Sequence, residues 1–266
     1  TQSRSSAASD VYKRQDMKTP HPALARPHLL RRAAAEFLGT GLLVTIVVGS
    51  GIAAQRLSPD DVGLQLLENS LTTALGLTVL ILMLGPVSGA HFNPVVTVAD
   101  WLLGRSASTG LPLRDVAAYV LAQIFGGIAG TLLAGVMFDT GPGFSSNDRV
   151  TGGHLVGEMV ATAGLVLLIF ALARTGKGSV TAAAVGAYIG AAYWFTSSTS
   201  FANPAVTIAR MFTDTFAGIA PSSVAPFIAA QLFGAAIGLA LLLALYPIAA
   251  RTAGDVVVPQ KLETQP

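Results

Sequence analysis

The same eight-residue phrase occurs twice in this chain, each time directly after a long apolar run. Residues 93–100 read Asn-Pro-Val-Val-Thr-Val-Ala-Asp, and residues 203–210 read Asn-Pro-Ala-Val-Thr-Ile-Ala-Arg. Asparagine is a favoured N-cap, and proline suits the first helical turn, where its missing N–H is not needed. The phrase therefore predicts two short helices that begin inside apolar sequence. Their free N–H groups and positive dipole ends would face something small and polar.

The composition is that of a membrane protein. Charged residues make up 11% of the 266 residues and hydrophobic residues 52%, whereas a soluble globule carries about 25% charged residues. The net charge of +2 is too small to indicate a nucleic-acid partner. The absence of cysteine excludes disulfides, thiolate chemistry and Cys-ligated metals. We predict an all-α membrane protein without a cofactor or a metal.

Six apolar segments are long enough to span a bilayer, which takes roughly 20 residues per helix. They are residues 33–54, 64–85, 116–138, 155–173, 179–196 and 224–249. The two Asn-Pro segments follow the second and fifth spans and are too short to cross. We interpret them as re-entrant half-helices, since irregular backbone at membrane depth is tolerated only where it is buried or lines a wet cavity.

Further residues match between the two halves of the chain. Gln123 in the third span corresponds to Gln231 in the sixth, and Glu36 in the first corresponds to Glu158 in the fourth. Each copy has three spans, so the second copy must enter from the opposite face of the membrane. The sequence therefore predicts an inverted repeat with its site near the midplane. The expected repeats are residues 31–140 and residues 153–250.

The ends of the chain are predicted to lie in the cytoplasm. Residues 1–30 are expected to be a disordered segment, whose first 16 residues we interpret as non-native sequence before Met17, and residues 251–266 a tail. The side of the termini holds Lys18, Arg26, Arg31, Arg32, Arg105, Arg114, Arg174, Lys177, Arg251 and Lys261, and the other side holds Arg56, Arg149 and Arg210. This positive-inside bias predicts a multi-pass protein of the inner (plasma) membrane with cytoplasmic termini.

With its two Asn-Pro motifs in this order, the chain resembles the major intrinsic protein family, the aquaporins and aquaglyceroporins. The residues that carry the resemblance are Ala35–Thr40, Ser88–Thr97, Tyr119 with Ala122-Gln123, and Thr199–Ala205. The resemblance implies an aquaporin-like fold of six transmembrane helices plus two half-helices. It also implies a homotetramer in the lipid bilayer, with one pore per subunit that passes small neutral solutes.

The resemblance implies roles for the residues of the two motifs. The pore centre is expected at Asn93, Pro94, Val95, Asn203, Pro204 and Ala205. There the two Asn amides would donate hydrogen bonds to passing oxygens, and the two inward-pointing dipoles would hinder proton relay. His91 is expected to line the cytoplasmic side of the pore. Metal binding by His91 is disfavoured, because no second ligand lies at a suitable spacing.

Glu36 and Glu158 are ionisable groups inside predicted spans, where such groups point to function. One hypothesis is a proton relay. The other is that each carboxylate accepts backbone N–H groups from a re-entrant loop and holds its shape. Their symmetry and their isolation from any Lys or Arg within the spans favour the structural role.

The outer selectivity filter is where the chain departs most from the family. Water and glycerol channels usually carry Arg directly after the second Asn-Pro-Ala, whereas this chain has Val206. The first motif also reads Asn-Pro-Val instead of Asn-Pro-Ala. The other predicted filter residues are Leu75 (or Thr73, by an ungapped count from Asn93), Gly190 or Ala191, and Ser200 or Phe201.

Two charged residues end the repeated phrase. Arg210 lies one helical turn beyond Val206 and points to the same side, further out. It could partly replace the missing filter charge, but we favour a place in the outer vestibule. Asp100, its counterpart, is expected in the cytoplasmic vestibule.

A filter without Arg should be wide and weakly polar. It predicts a passive channel for water, glycerol-like polyols and neutral arsenite or related metalloid hydroxides, because loss of this Arg resembles the members associated with arsenic resistance. One alternative is a secondary transporter, since inverted repeats also build those. Another is a plain water-selective channel. An enzyme is not expected, because no set of nucleophile, base and orienting group is visible.

Overall fold

The computed structural model of the chain describes residues 27–105 and 110–247. The proposed non-native leader and the tail from residue 251 lie outside the described residues, as does most of the predicted N-terminal segment. The described residues form eight α-helices: α1 (Leu29–Leu57), α2 (Val62–Ser88), α3 (Pro94–Gly104), α4 (Leu113–Met137), α5 (Gly152–Arg174), α6 (Thr181–Phe195), α7 (Pro204–Ala209) and α8 (Pro221–Leu245). Short 3-10 turns at Gly178–Val180 and Arg210–Phe212 precede α6 and follow α7.

Local sequence signals set the helix ends. The carboxylate of Asp61 accepts a hydrogen bond of 2.9 Å from the backbone N–H of Leu64 and caps the start of α2. The hydroxyl of Thr151 caps α5 in the same way. α8 ends at Leu245, short of the predicted residue 249, because Pro247 disfavours helical backbone at the residue before it.

Five described helices are long and apolar enough to cross a membrane by length and composition, namely α1, α2, α4, α5 and α8. The sixth predicted span corresponds to α6, which has 15 residues and continues the preceding 3-10 turn. Together the turn and α6 reach about 28 Å, close to the roughly 30 Å of a hydrocarbon core. The two Asn-Pro segments form α3 and α7, with 11 and 6 residues. The prediction of six spans and two half-helices is confirmed.

The helices pack in the same pattern in both copies. α1 packs on α2 and α4, and the corresponding α5 packs on α6 and α8. The copies meet where α2 contacts α6, and both half-helices contact α4, α8 and each other. This arrangement places the starts of α3 and α7 at the junction of the copies, as an inverted repeat requires.

Glycines allow the closest helix contacts. A Cβ atom added at Gly126 or Gly130 of α4 would overlap the backbone carbonyl oxygen of Phe37 or Gly41 in α1. Gly234 and Gly238 of α8 stand in the same relation to the backbone of α5. Small residues are the usual means by which membrane helices approach each other, because lipid provides no hydrophobic drive between them. These four glycines therefore serve the close packing of α1 on α4 and of α5 on α8.

Large apolar side chains face outward along the long helices. On α2 and α4 these exposed residues are Leu71, Leu75, Val79, Leu82, Leu121, Phe125, Leu132, Leu133 and Val136. In water such a surface would be unstable, whereas lipid solvates it. The bundle is therefore a membrane-embedded protein whose polar groups are gathered inside.

Candidate functional site: a pore between two half-helices

Asn93 and Asn203 join the two half-helices through reciprocal hydrogen bonds. Nδ2 of Asn93 donates to the carbonyl oxygen of Ala202 at 2.8 Å, and Nδ2 of Asn203 donates to that of Phe92 at 2.7 Å. Each Oδ1 accepts from the backbone N–H two residues ahead, Val95 or Ala205, at 3.0 Å. An amide nitrogen carries two hydrogens. One N–H of each Asn is therefore left to donate to a solute.

The loops before the two Asn residues have matching strained backbones. Ala90 and Phe92 have φ of 49°, and the corresponding Ser200 and Ala202 have φ of 52° and 49°. Such left-handed conformations are unfavourable for residues other than glycine and persist only where surrounding contacts impose them. Within the described residues, no group donates to the carbonyl oxygens of Ser200 and Phe201, so these acceptors are available to a solute.

Two buried carboxylates impose this backbone. Glu36 accepts hydrogen bonds from the backbone N–H groups of His91 and Phe92 at 3.0 and 2.7 Å. Glu158 accepts from those of Phe201 and Ala202, both at 2.9 Å. Both glutamates are fully buried. Their contacts are those of the structural role that the sequence favoured over a proton relay.

Two glutamines connect each carboxylate to its own half-helix. Nε2 of Gln123 donates to Glu36 at 2.7 Å and to Thr97 Oγ1 at 2.9 Å. Nε2 of Gln231 donates to Glu158 at 2.6 Å and to Thr207 Oγ1 at 2.8 Å. The symmetry of the sequence repeat is thus also a symmetry of hydrogen bonding. Neither glutamine was singled out as a site residue, although the repeat would have allowed it.

A cavity of about 60 Å³ runs past the Asn pair. The two loops, residues 90–93 and 200–203, line it and supply polar atoms, as do Thr73, Tyr193 and Arg210. The rest of the lining is apolar and includes Leu43, Val47, Leu77, Ile81, Leu165, Ile169, Val185 and Ile189. A lining that combines apolar side chains with donors and acceptors suits a small solute with several hydroxyl groups.

Of the six residues predicted at the pore centre, the two asparagines line this cavity. The other four are buried in the first turns of the half-helices and do not line it: Pro94, Val95, Pro204 and Ala205. They form the first turns of the half-helices that hold the two asparagines in place. His91 lines the cavity, and its Nδ1 lies 3.1 Å from Thr97 Oγ1.

Three of the predicted filter residues do not line the pore. Leu75 is 61% exposed on the outer surface of α2, and Ala191 is exposed on α6. Gly190 faces α2, because a Cβ atom added there would lie 2.9 Å from the Cβ of Ala74. The predictions of Leu75, Gly190 and Ala191 as filter residues are therefore wrong.

At the outer part of the pore, α2 and α6 contribute Thr73, Ile189 and Tyr193 to the lining. Thr73 is the alternative that the ungapped count had offered. Its Oγ1 lies 3.2 Å from the hydroxyl of Tyr193, so the two side chains close one side of the outer constriction. Ser200, Phe201 and Val206 line the cavity on the other side. Ile189 and Tyr193 were missed because the wrong face of α6 was chosen.

A wider vestibule of about 680 Å³ lies beyond the constriction. Asp148 and Asp214 line it, and the pKa of each carboxyl is below its usual value. The hydroxyl of Ser223 is the main cause at Asp148, and the backbone N–H and hydroxyl of Ser146 are the cause at Asp214. Burial lowers the pKa of Arg149, whose guanidinium donates to the carbonyl oxygens of Gly218 and Phe216.

Arg210 and Asp100, which end the repeated phrase, differ in their surroundings. Arg210 is only 3% exposed and lines both the pore cavity and the vestibule. It therefore borders both of the places that the sequence left open for it, the filter and the vestibule. Asp100 is buried and accepts a hydrogen bond from the backbone N–H of Leu111 at 2.8 Å, so it anchors the chain after α3.

Metal chemistry finds no support among the side chains in residues 27–105 and 110–247. No group of three His, Asp or Glu residues in these ranges could hold a metal ion. The cavity is lined by donors and acceptors for hydrogen bonds. What it can do chemically is replace part of the hydration shell of a solute.

Comparison with known sequences identifies relatives with this architecture. The family model described as major intrinsic protein matches residues 23–200. The aquaglyceroporin AqpS of Rhizobium meliloti (strain 1021) is 52% identical over 215 residues, which cover 80% of this chain and 89% of that protein. Aquaporin Z of Photorhabdus laumondii subsp. laumondii is 34% identical over 158 residues, covering 53% of this chain and 64% of its own.

Comparison with solved structures supports the fold. The X-ray structure of the aquaglyceroporin from Plasmodium falciparum has a TM-score of 0.58 to this chain at 18% identity. The match covers 84% of this chain and 99% of that one. At this identity the likeness concerns the arrangement of helices and not the solute.

Proposed function

This chain belongs to the major intrinsic protein family, and from that premise we propose that it passes glycerol-like polyols and uncharged metalloid hydroxides such as neutral arsenite, as well as water. The names of its relatives, aquaglyceroporin and aquaporin, support a passive channel for water and glycerol. The more specific part of the proposal is that the pore admits polyols and metalloid hydroxides. It depends on the residues at the outer constriction.

The observation that carries the proposal is the side chain of Val206 at the pore wall. Val206 is 5% exposed and lines the cavity beside Asn203, where the family usually has Arg. Valine is shorter than arginine and offers no hydrogen-bond donor. The ring formed with Thr73, Ile189 and Ser200 is therefore less polar than one with a guanidinium in the same place, and we expect it to admit a trihydroxy solute.

Uncharged solutes are favoured over ions by the same geometry. A neutral polyol that sheds part of its hydration can replace it with the free N–H of Asn93 or Asn203 and with the carbonyl oxygens of Ser200 and Phe201. An ion faces a desolvation penalty that is several times larger in a low-dielectric cavity. We therefore expect As(OH)₃ and glycerol to pass and arsenate and phosphate to be excluded.

The proposed setting is a homotetramer in the plasma membrane with cytoplasmic termini. The basic residues Arg31, Arg32, Arg105, Arg114 and Arg174 at helix ends on the side of the termini support this orientation. Cross-linking in lipid followed by mass determination tests the number of subunits. Labelling of a cysteine introduced at Ser146 by an impermeant reagent tests the orientation, since Ser146 lines the vestibule and the chain has no cysteine of its own.

Flux into proteoliposomes tests the function. Purified protein should accelerate the uptake of water, glycerol and neutral arsenite at pH 7. The uptake rates of arsenate and phosphate should stay equal to those of empty vesicles. Uptake should rise linearly with concentration and should not change when ion gradients are collapsed. Saturation together with a need for an ion gradient would favour the secondary transporter, and uptake of water alone would favour the water-selective channel.

A further inference from the structure

The guanidinium of Arg210 lies at the junction of the vestibule and the pore. It contributes to the walls of both cavities, a position that it shares with Tyr193. A solute that moves from the vestibule to the Asn pair therefore passes Arg210 before it reaches Val206. The two residues are four positions apart, which places Arg210 on the same face of the half-helix and about 6 Å further out.

Two contacts hold this side chain in place. Nε of Arg210 donates to the carbonyl oxygen of Ala217 in the loop before α8. The guanidinium carbon lies 3.5 Å from the centre of the Phe201 ring, within cation–π distance. Phe201 itself lines the pore, so the stack holds the guanidinium at the outer end of the pore.

The charge of Arg210 is not neutralised by an ion pair. Among the described residues, ion pairs within 4.0 Å involve only Arg32, Arg114 and Asp115, at the other end of the bundle. The vestibule carboxylates Asp148 and Asp214 accept hydrogen bonds from Ser223 and Ser146, respectively, and form no ion pair with Arg210. In the described part of the chain, the only hydrogen bond from the Arg210 side chain is that of Nε, which leaves the donors on both terminal nitrogens available.

We propose that Arg210 is the charge-selecting residue of this channel. Its terminal N–H groups donate to the hydroxyl oxygens of an incoming neutral solute, and its positive charge, which no described carboxylate pairs within 4.0 Å, repels cations from the constriction. Size selection and charge selection are then separated along the pore. Val206 sets the width of the ring, and Arg210, one turn outside it, sets the sign of the charge that is excluded.

Three variants test the proposal in proteoliposomes, with conductance of Na⁺ and H⁺ and uptake of glycerol as readouts. Arg210→Leu should raise cation conductance at least about tenfold, which corresponds to about 1.4 kcal/mol of barrier. Arg210→Lys keeps the charge but loses the planar stack on Phe201, and it should keep most of the cation exclusion. Unchanged cation conductance in folded Arg210→Leu would overturn the proposal.

A double variant distinguishes the effect of the guanidinium charge from that of the hydrogen bond between Arg210 and Ala217. Val206→Arg combined with Arg210→Leu returns a guanidinium to the constriction but not the bond to Ala217. It should restore cation exclusion to within about threefold of the wild type while lowering glycerol uptake. If the double variant leaks cations as much as Arg210→Leu does, Arg210 acts by holding the loop and the proposal is wrong. Cation conductance does not depend on which neutral solutes pass, so the proposal on solutes can fail while this one stands.

Discussion

Asn93 and Asn203 are bound to each other's loops, because the side-chain amide of each donates to the backbone carbonyl of the residue that precedes the other. The two hydrogen bonds measure 2.8 and 2.7 Å, and each Asn also caps its own half-helix. The pore centre and the contact between the half-helices are therefore the same structure. A substitution at either Asn should affect conduction and half-helix geometry together.

We expect Asn203→Asp to impair neutral flux and admit cations. The carboxylate can still cap α7, where the helix dipole favours a negative charge, but it cannot donate to Phe92. The loss of this buried bond costs about 1–3 kcal/mol and places two acceptors opposite each other. Glycerol uptake and cation conductance in proteoliposomes measure the effect. Wild-type glycerol uptake without a cation leak would contradict the assigned role.

Glu158→Gln should destabilise the protein rather than alter proton transport. Its amide nitrogen would face the N–H groups of Phe201 and Ala202 or Nε2 of Gln231, all of which are donors. Leaving a buried donor unsatisfied costs about 1–3 kcal/mol. Thermal unfolding in detergent should show lower stability, and Glu36→Gln should behave alike. A variant of normal stability with changed proton leak would instead support a proton relay.

Gly130→Ala should weaken the packing of α1 on α4. The new methyl group would overlap the backbone of Gly41, which cannot move without displacing α1. Gly152→Ala is the matched control, because Gly152 is also helical and nothing lies within 4 Å of the position of its Cβ. We expect a loss of about 1–3 kcal/mol in the first variant, as for overpacking, and none in the second. Equal thermal stability of the two variants would contradict the proposed packing.

Thr73→Phe should narrow the pore, whereas Leu75→Phe should not. Thr73 is buried at the constriction beside Tyr193, and Leu75 faces outward. The bulky ring in Thr73→Phe should reduce glycerol uptake at least about tenfold, because a constriction selects by its diameter. Reduced glycerol uptake in Leu75→Phe, or unchanged glycerol uptake in Thr73→Phe, would show that the constriction lies elsewhere.

The sequence predicted the parts of the site that repeat. Asn93, Asn203, Glu36 and Glu158 recur in both copies, and in the structure all four form hydrogen bonds with the loops before the half-helices. These residues need no knowledge of helix rotation, because they lie at the start of a half-helix or bond to its loop.

The filter residues on α2 and α6 could not be predicted with the same certainty. A shift of two residues turns a side chain by about 200° around a helix, which separates pore-lining Thr73 from Leu75. The alignment of α2 left that shift open, and on α6 it offered Gly190 or Ala191 but not Ile189. The position of Arg210 depended on where α7 ends, since Arg210 begins a 3-10 turn that the sequence did not indicate.

Paired uptake of arsenite, glycerol and water by the wild type and Val206→Arg tests the central claim most directly. A guanidinium at position 206 would fill the ring between Thr73 and Ser200 and narrow it towards the size of water. We predict that arsenite and glycerol uptake fall at least about tenfold, while water uptake falls less, because a narrower constriction discriminates by solute diameter. Equal suppression of all three solutes, or no change in any, would contradict the claim that Val206 determines which solutes pass.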